Sequence, residues 1–235
     1  DNSRPEKPLT SYRPFRQIAD KLSSNGIAVL RVDDRGVGAS KGGDINNMTT
    51  EERACDIREC LQYLKTRNEI DSSRIGLIGL SEGASIAHII AASDKSVKLL
   101  ILLSGIGSKG KEIIEFQVKN GLIDGKKLPE LLKSDKNLQF LWNFDPLKTA
   151  KLIQQPTLII NGTKDKNVPP DDGLKLYSSM KNNGNKNVRV EILPNYTHLL
   201  MKENRFEKEI EDVPTKNKIP DELLNLILEW IKKRI

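Results

Sequence analysis

The chain has 235 residues, 37% of them hydrophobic, which is enough to bury a sizeable core in one large domain or two small ones. Its 38 Lys+Arg against 32 Asp+Glu leave +6, but charged residues make up 30% of the chain and are spread along it, so they read as a solvated surface and not as a nucleic-acid face. No apolar run approaches the roughly 18 residues that a membrane-spanning helix needs. Asp1 to Arg13 is polar and carries Pro5 and Pro8, so no signal-peptide pattern opens the chain. Cys55 and Cys60 are the two cysteines and project differently from one helical segment, against both a disulfide framework and a cysteine metal site.

Apolar runs of strand length alternate with segments of helical period, the pattern of an α/β protein with a mostly parallel sheet covered on both faces. Phe15, Ile18, Ala19 and Leu22 predict a helix over about 12–24, ended by Asn25-Gly26. Ile27–Val32 is expected to be a buried strand running into the glycine-rich loop Asp33-Asp34-Arg35-Gly36-Val37-Gly38-Ala39-Ser40. A helix is predicted from near Thr50 to Arg67, with Ala54, Ile57, Leu61 and Leu64 on its apolar face. Then come a strand over 74–80, a helix over 82–92 and a nearly all-aliphatic strand over 97–103.

Between about 105 and 145 the periodicity weakens to short amphipathic pieces, 112–119 and 128–133, which predict a helical cap inserted into the core (1–104 and 146–235) of one domain. A strand over 156–161, a helix over 172–181, a strand over 188–193 and a closing helix over 220–235 complete the order.

Gly79-Leu80-Ser81-Glu82-Gly83 fits G-x-S-x-G, a match that arises by chance in roughly one chain in ten of this length. Its setting carries more: a strand ends at the serine and a helix begins after it, the strand-turn-helix of a nucleophile elbow, in which glycines at 79 and 83 leave room for the sharp turn. The competing reading is an ordinary turn with Ser81 capping the helix. A serine hydroxyl needs a base, and the base an orienting carboxylate. Of the two histidines, His88 falls among Ile86, Ala87, Ile89 and Ile90 and reads as packed, whereas His198 lies just past the last strand and is the candidate base. Asp165, in the turn after the preceding strand, is the candidate acid. Asp171 and Asp172 follow Pro169-Pro170 and read as acids opening the next helix.

The order Ser81, Asp165, His198, the loop Arg31-Val32-Asp33-Asp34-Arg35-Gly36-Val37-Gly38-Ala39-Ser40 and the stretch Asn161-Gly162-Thr163-Lys164-Asp165 with Val168-Pro169-Pro170 resemble the α/β-hydrolase superfamily. Within it the chain is similar to bacterial serine esterases of dienelactone-hydrolase and acyl-peptidase character. The resemblance implies Ser81 as nucleophile, Asp165 as acid, His198 as base, the backbone N–H of Glu82 as one oxyanion donor, and small carboxylic esters as substrates. Neither a cofactor nor a metal is implied, and neither a nucleic acid nor a membrane is an expected partner. The family's sheet has a further strand between those at 27–32 and 74–80, and the loop after it gives the second oxyanion donor. On this resemblance that strand and donor are expected upstream of Asp1.

Phe116, Phe140, Leu141 and Trp142 are candidate acyl-pocket residues, or simply packing between cap and core. A peptidase or acyl-CoA thioesterase on the same three residues, and a non-catalytic binding domain, are the competing functions. Asp33-Asp34-Arg35-Gly36 reads as a structural turn, and the three glycosylation sequons at Asn47, Asn161 and Asn195 as chance matches.

Overall fold

A computed structural model describes residues 12–202 and 218–234. Four parallel strands, β1 (Gly76–Leu80), β2 (Leu99–Leu103), β3 (Thr157–Gly162) and β4 (Val188–Leu193), lie side by side in chain order. The described helices are α1 (Pro14–Ser23), α2 (Thr50–Lys65), α3 (Glu82–Ser93), α4 (Gly110–Lys119), α5 (Leu128–Ser134), α6 (Lys136–Asn143), α7 (Pro146–Ala150), α8 (Asp172–Asn182) and α9 (Asp221–Lys232).

The side chains of β2 show why the sheet is sandwiched. All five are aliphatic and essentially unexposed, and they alternate between two cores. Leu99, Ile101 and Leu103 pack with Ile18 and Leu22 of α1 and Leu223, Ile227, Trp230 and Ile231 of α9. Leu100 and Leu102 face the other way, onto Ala54 and Leu61 of α2, Ala87 and Ile90 of α3 and Leu176 and Met180 of α8. At about 1.5–3 kcal/mol for each buried Leu or Ile, this strand is a principal contributor to the hydrophobic stabilisation. The expected α/β class and parallel sheet are therefore present.

Two expectations differ. Ile27–Val32 forms no strand, and Val29 (38%) and Leu30 (39%) are exposed. Apolar, β-branched composition alone does not make a strand. In the stretch 105–145, α6 joins the two expected helices, and α7 follows at Pro146. Both carry start signals: Asp135 accepts from Leu138 N at 2.9 Å, and Asp145 accepts from Leu147 N at 3.1 Å ahead of Pro146 at the first helical position.

His88 is a packed residue of α3, 1% exposed and tilted against Phe144 with ring centroids 5.7 Å apart. Thr149 Oγ1 donates to the Pro146 carbonyl at 3.0 Å, and its lone pair is then free to accept from His88 Nδ1–H at 2.8 Å. Nε2 has no partner, so protonation would bury an unpaired charge, and burial lowers the pKa from 6.5 to about 4. Between these values the unfolded chain binds more protons than the folded one. The stability this group supplies is therefore present above pH 6.5 and is lost as the pH falls towards 4. A shift of this size corresponds to roughly 3 kcal/mol. His88→Leu is accordingly expected to lose less stability than the parent between pH 7 and pH 4.5, by roughly 2 to 3 kcal/mol in denaturant unfolding. Equal losses in the two proteins would contradict the assignment.

Candidate active site

Because the strands are parallel, the residues that follow β1, β2, β3 and β4 emerge at one end of the sheet, where open α/β sheets present their ligand sites. Ser81, Ser104, Asp165 and His198 all lie in segments that follow these strand ends.

Ser81 leaves β1 with φ 57° and ψ −117°, an unfavourable conformation for a side-chain-bearing residue. The turn is tight enough that a Cβ on Gly79 would lie 2.0 Å from the Gly83 carbonyl oxygen, so this position requires glycine. Ser81 stands at the N-terminal boundary of α3, yet its side chain makes no capping hydrogen bond. The ordinary-cap reading of this serine thus fails: the hydroxyl is not occupied by the helix.

Asp165 is 5% exposed in a turn after β3. Its Oδ1 accepts from Asn167 N at 2.8 Å and Val168 N at 2.9 Å, and its Oδ2 meets His198 Nδ1 at 2.8 Å. This pairing leaves Nε2 as the ring nitrogen available for chemistry. No hydrogen bond joins His198 to Ser81 in this structure; such bonds are commonly long in unliganded sites.

The His198 loop is fixed from several sides. Tyr12 Oη donates to the Leu199 carbonyl, Thr197 N donates to Met201 O at 2.8 Å, and Asn195 N donates to Thr163 Oγ1 at 2.8 Å. Gly162 is where this loop rides on β3, since a Cβ there would lie 2.1 Å from the Tyr196 carbonyl oxygen. Asn195 and Leu200 both adopt positive φ, at 65°. Burial and the Glu222 carboxylate, which accepts from Tyr196 Oη at 2.7 Å, push the Tyr196 phenol up.

Ser104 was not legible as a site residue. Buried and at φ 48°, it donates through Oγ to the His198 carbonyl at 2.8 Å and through N to Ile160 O at 2.7 Å. The preceding Leu103 carbonyl accepts from Ser81 N at 2.8 Å. The consecutive residues Leu103 and Ser104 therefore tie the elbow, β3 and the histidine loop together. A serine at the end of an all-aliphatic strand was the only available signal.

Asp172 does more than open a helix. Fully buried, it accepts from Gly107 N at 2.9 Å, Ser108 N at 3.0 Å and Ser108 Oγ at 2.6 Å, and it pairs with Lys175 Nζ at 3.0 Å. It locks the segment leading from β2 into α4. Asn161 is also fully buried and donates to Gly105 O at 3.2 Å, which leaves its sequon inaccessible to a glycan.

Of the four candidate pocket residues, Phe116 lies on α4 and the others on α6, two helices that pack together so closely that a Cβ on Gly110 would meet the Leu141 carbonyl oxygen at 1.5 Å. Phe140 stacks on Phe144 at 5.5 Å, and Phe144 packs onto Ile106, Ile113 and Val168. Trp142 pairs instead with the Lys111 ammonium at 5.6 Å. Asp33 accepts from Ala39 N at 3.1 Å and Arg35 pairs with Asp56, in keeping with a structural turn at 33–40. Among the described residues no group of His, Cys, Asp and Glu has the arrangement of a metal site.

A parallel sheet sandwiched between helices, with a serine elbow, is the architecture of an α/β hydrolase. Residues 14–214 match the model of the prolyl oligopeptidase family, and the chain belongs to that family. Proteins it resembles are named as an esterase and as peptidases. It is 22% identical over 239 residues to the uncharacterized peptidase YuxL of Bacillus subtilis, covering 96% of this chain and 32% of that protein. It thus spans about a third of the length of that curated relative. The Pyrococcus furiosus esterase Pf2001 superposes with a TM-score of 0.68 at 23% identity, covering 99% of this chain and 79% of that one. The Pyrococcus horikoshii acylaminoacyl peptidase does so with a TM-score of 0.56 at 20% identity, over 79% of this chain and 28% of its own. At these identities the solved structures speak to the fold.

Proposed function

We propose that this chain is a serine hydrolase that cleaves small carboxylic esters through an acyl-enzyme. The observation that carries this reading is the buried Asp165 carboxylate holding His198 Nδ1 at 2.8 Å, at the sheet end where the uncapped, strained Ser81 also emerges. In this mechanism Ser81 Oγ attacks the ester carbonyl carbon while His198 Nε2 takes its proton. The negative charge forming on the carbonyl oxygen is held by the Glu82 amide, the first N–H after the nucleophile. Collapse expels the alcohol, which receives the proton from His198. Water then attacks the acyl-enzyme by the same route, releasing the acid and restoring Ser81.

Asp165 keeps the imidazole in the required tautomer and stabilises its charged form. The inserted helices α4 to α6 form the cap, with Phe140 and Leu141 as the acyl-side wall. A peptidase on the same residues is the second reading, favoured by the similarity to the acylaminoacyl peptidase fold. Rates on p-nitrophenyl acetate, an aminoacyl p-nitroanilide and an acyl-CoA, compared as kcat/KM, separate the possibilities. The ester is expected to lead by at least about tenfold, which corresponds to 1.4 kcal/mol of transition-state preference. A lead for the anilide would move the assignment to peptidase, and one for the acyl-CoA to thioesterase.

A further inference from the structure

Glu82, the residue after the proposed nucleophile, is tied to two other helices. Its Oε2 pairs with Arg53 Nη1 at 2.6 Å, and its Oε1 accepts from Thr50 Oγ1 at 2.7 Å and from Asn137 Nδ2 at 3.0 Å. Thr50 is fully buried at the start of α2, and its backbone N donates to Asn137 Oδ1 at 2.7 Å. Arg53 in turn donates to the Ile45 carbonyl at 2.9 Å. One carboxylate thereby joins α2, the elbow and α6. A first-turn acid serving only its own helix dipole needs none of these partners.

Helix α6 continues the connection. Its start is held by Asn137 to Glu82, while at its end Phe144 packs on Val168, whose backbone N donates to Asp165 Oδ1 at 2.9 Å. The eight-residue helix therefore runs from the residue beside the proposed nucleophile to the turn of the proposed acid.

We propose that the Glu82 carboxylate is a positioning residue that holds its own amide in place as oxyanion donor and seats α6 against the elbow, so that cap position and oxyanion stabilisation are coupled. This rests on the serine-hydrolase reading above. Oxyanion donors act only when aimed at the developing charge, and a displacement of about 1 Å in such a constellation can cost on the order of 10²-fold in rate. The three partners of the side chain restrain the backbone that carries the donor.

The test is steady-state kinetics on p-nitrophenyl acetate and p-nitrophenyl octanoate, with fluorophosphonate labelling of the same samples and circular dichroism to establish that each is folded. Glu82→Ala is expected to lower kcat on acetate by on the order of 10²-fold with KM changed far less, because the loss falls on the transition state. Glu82→Gln keeps the shape and an acceptor for Thr50, and is expected to recover about tenfold of that loss. Asn137→Ala, which cuts the arm to α6, is expected to raise KM for octanoate more than for acetate. Should Glu82→Ala fail to fold, Thr50→Val removes one of the donors to the carboxylate and carries the same test, with a kcat loss of several-fold expected. Unchanged kcat in the folded Glu82 or Thr50 variants, with the parent active and labelled, overturns this inference alone. A parent that neither turns over nor labels overturns the serine-hydrolase reading, and this inference with it.

Discussion

Ser81→Ala is expected to lower kcat on the preferred ester by on the order of 10⁴- to 10⁶-fold while the protein stays folded. In the proposed mechanism this hydroxyl is the nucleophile, and removing it leaves only binding and oxyanion stabilisation to act on a water attack. The variant is well suited to isolate chemistry from structure. Ser81 makes no side-chain capping bond, so deletion of Oγ removes no support from α3. Its backbone N–H bond to the Leu103 carbonyl, at 2.8 Å, does not depend on the side chain. The φ of 57° is as awkward for alanine as for serine, so the strain is retained. Steady-state turnover alongside thermal unfolding checks the outcome. Loss of less than about tenfold in a folded variant would remove Ser81 from the mechanism.

Asp165→Asn is expected to cost on the order of 10⁴-fold in kcat, through the tautomer of His198 and not through loss of the loop. Two backbone N–H groups, of Asn167 and Val168, donate to Oδ1 of the carboxylate. An asparagine there keeps its carbonyl oxygen towards those donors, which turns its NH₂ towards His198 Nδ1. The imidazole must then accept at Nδ1 and carry its proton on Nε2, where a general base needs a lone pair. The pH dependence distinguishes this from simple destabilisation. Elevated pH, at which hydroxide can take the Ser81 proton in place of the imidazole, is expected to restore part of the lost rate in Asp165→Asn. If the variant retains the parent's rate at neutral pH, the orienting role fails.

The elements that carried their own periodicity were legible from residues alone. Leu99–Leu103 is aliphatic at every position because both its faces are buried, and α3 follows a serine between two glycines, of which the turn requires Gly79 while a Cβ on Gly83 would meet nothing within 4 Å, contrary to expectation. The pairing of Asp165 with His198 was also accessible, since one follows β3 and the other β4 and the sheet sets these strands side by side. What escaped reading depends on partners distant in the chain. Ser104 and His198 are 94 residues apart, Tyr12 and Leu199 are 187, and Glu82 and Asn137 are 55, and no local spacing announces such bonds. Asp172 carries the sequence signal of a helix-opening acid, with two prolines before it, whereas its role comes from Gly107 and Ser108, which follow another strand. Ile27–Val32 shows the converse, for an apolar run has strand character by composition alone, and here that composition is not realised as a strand. For α6 the start signal is present in the sequence, in the cap at Asp135.

The most direct test of the central claim, that Ser81 is activated by His198, is reaction with a fluorophosphonate followed by intact mass and peptide mapping. A fluorophosphonate reacts rapidly only with a serine whose proton is taken by a positioned base. One adduct is predicted, on the peptide containing Ser81, absent in Ser81→Ala and formed far more slowly in His198→Ala. No adduct on the folded parent, an adduct on another serine, or labelling at an unchanged rate in His198→Ala would contradict the account.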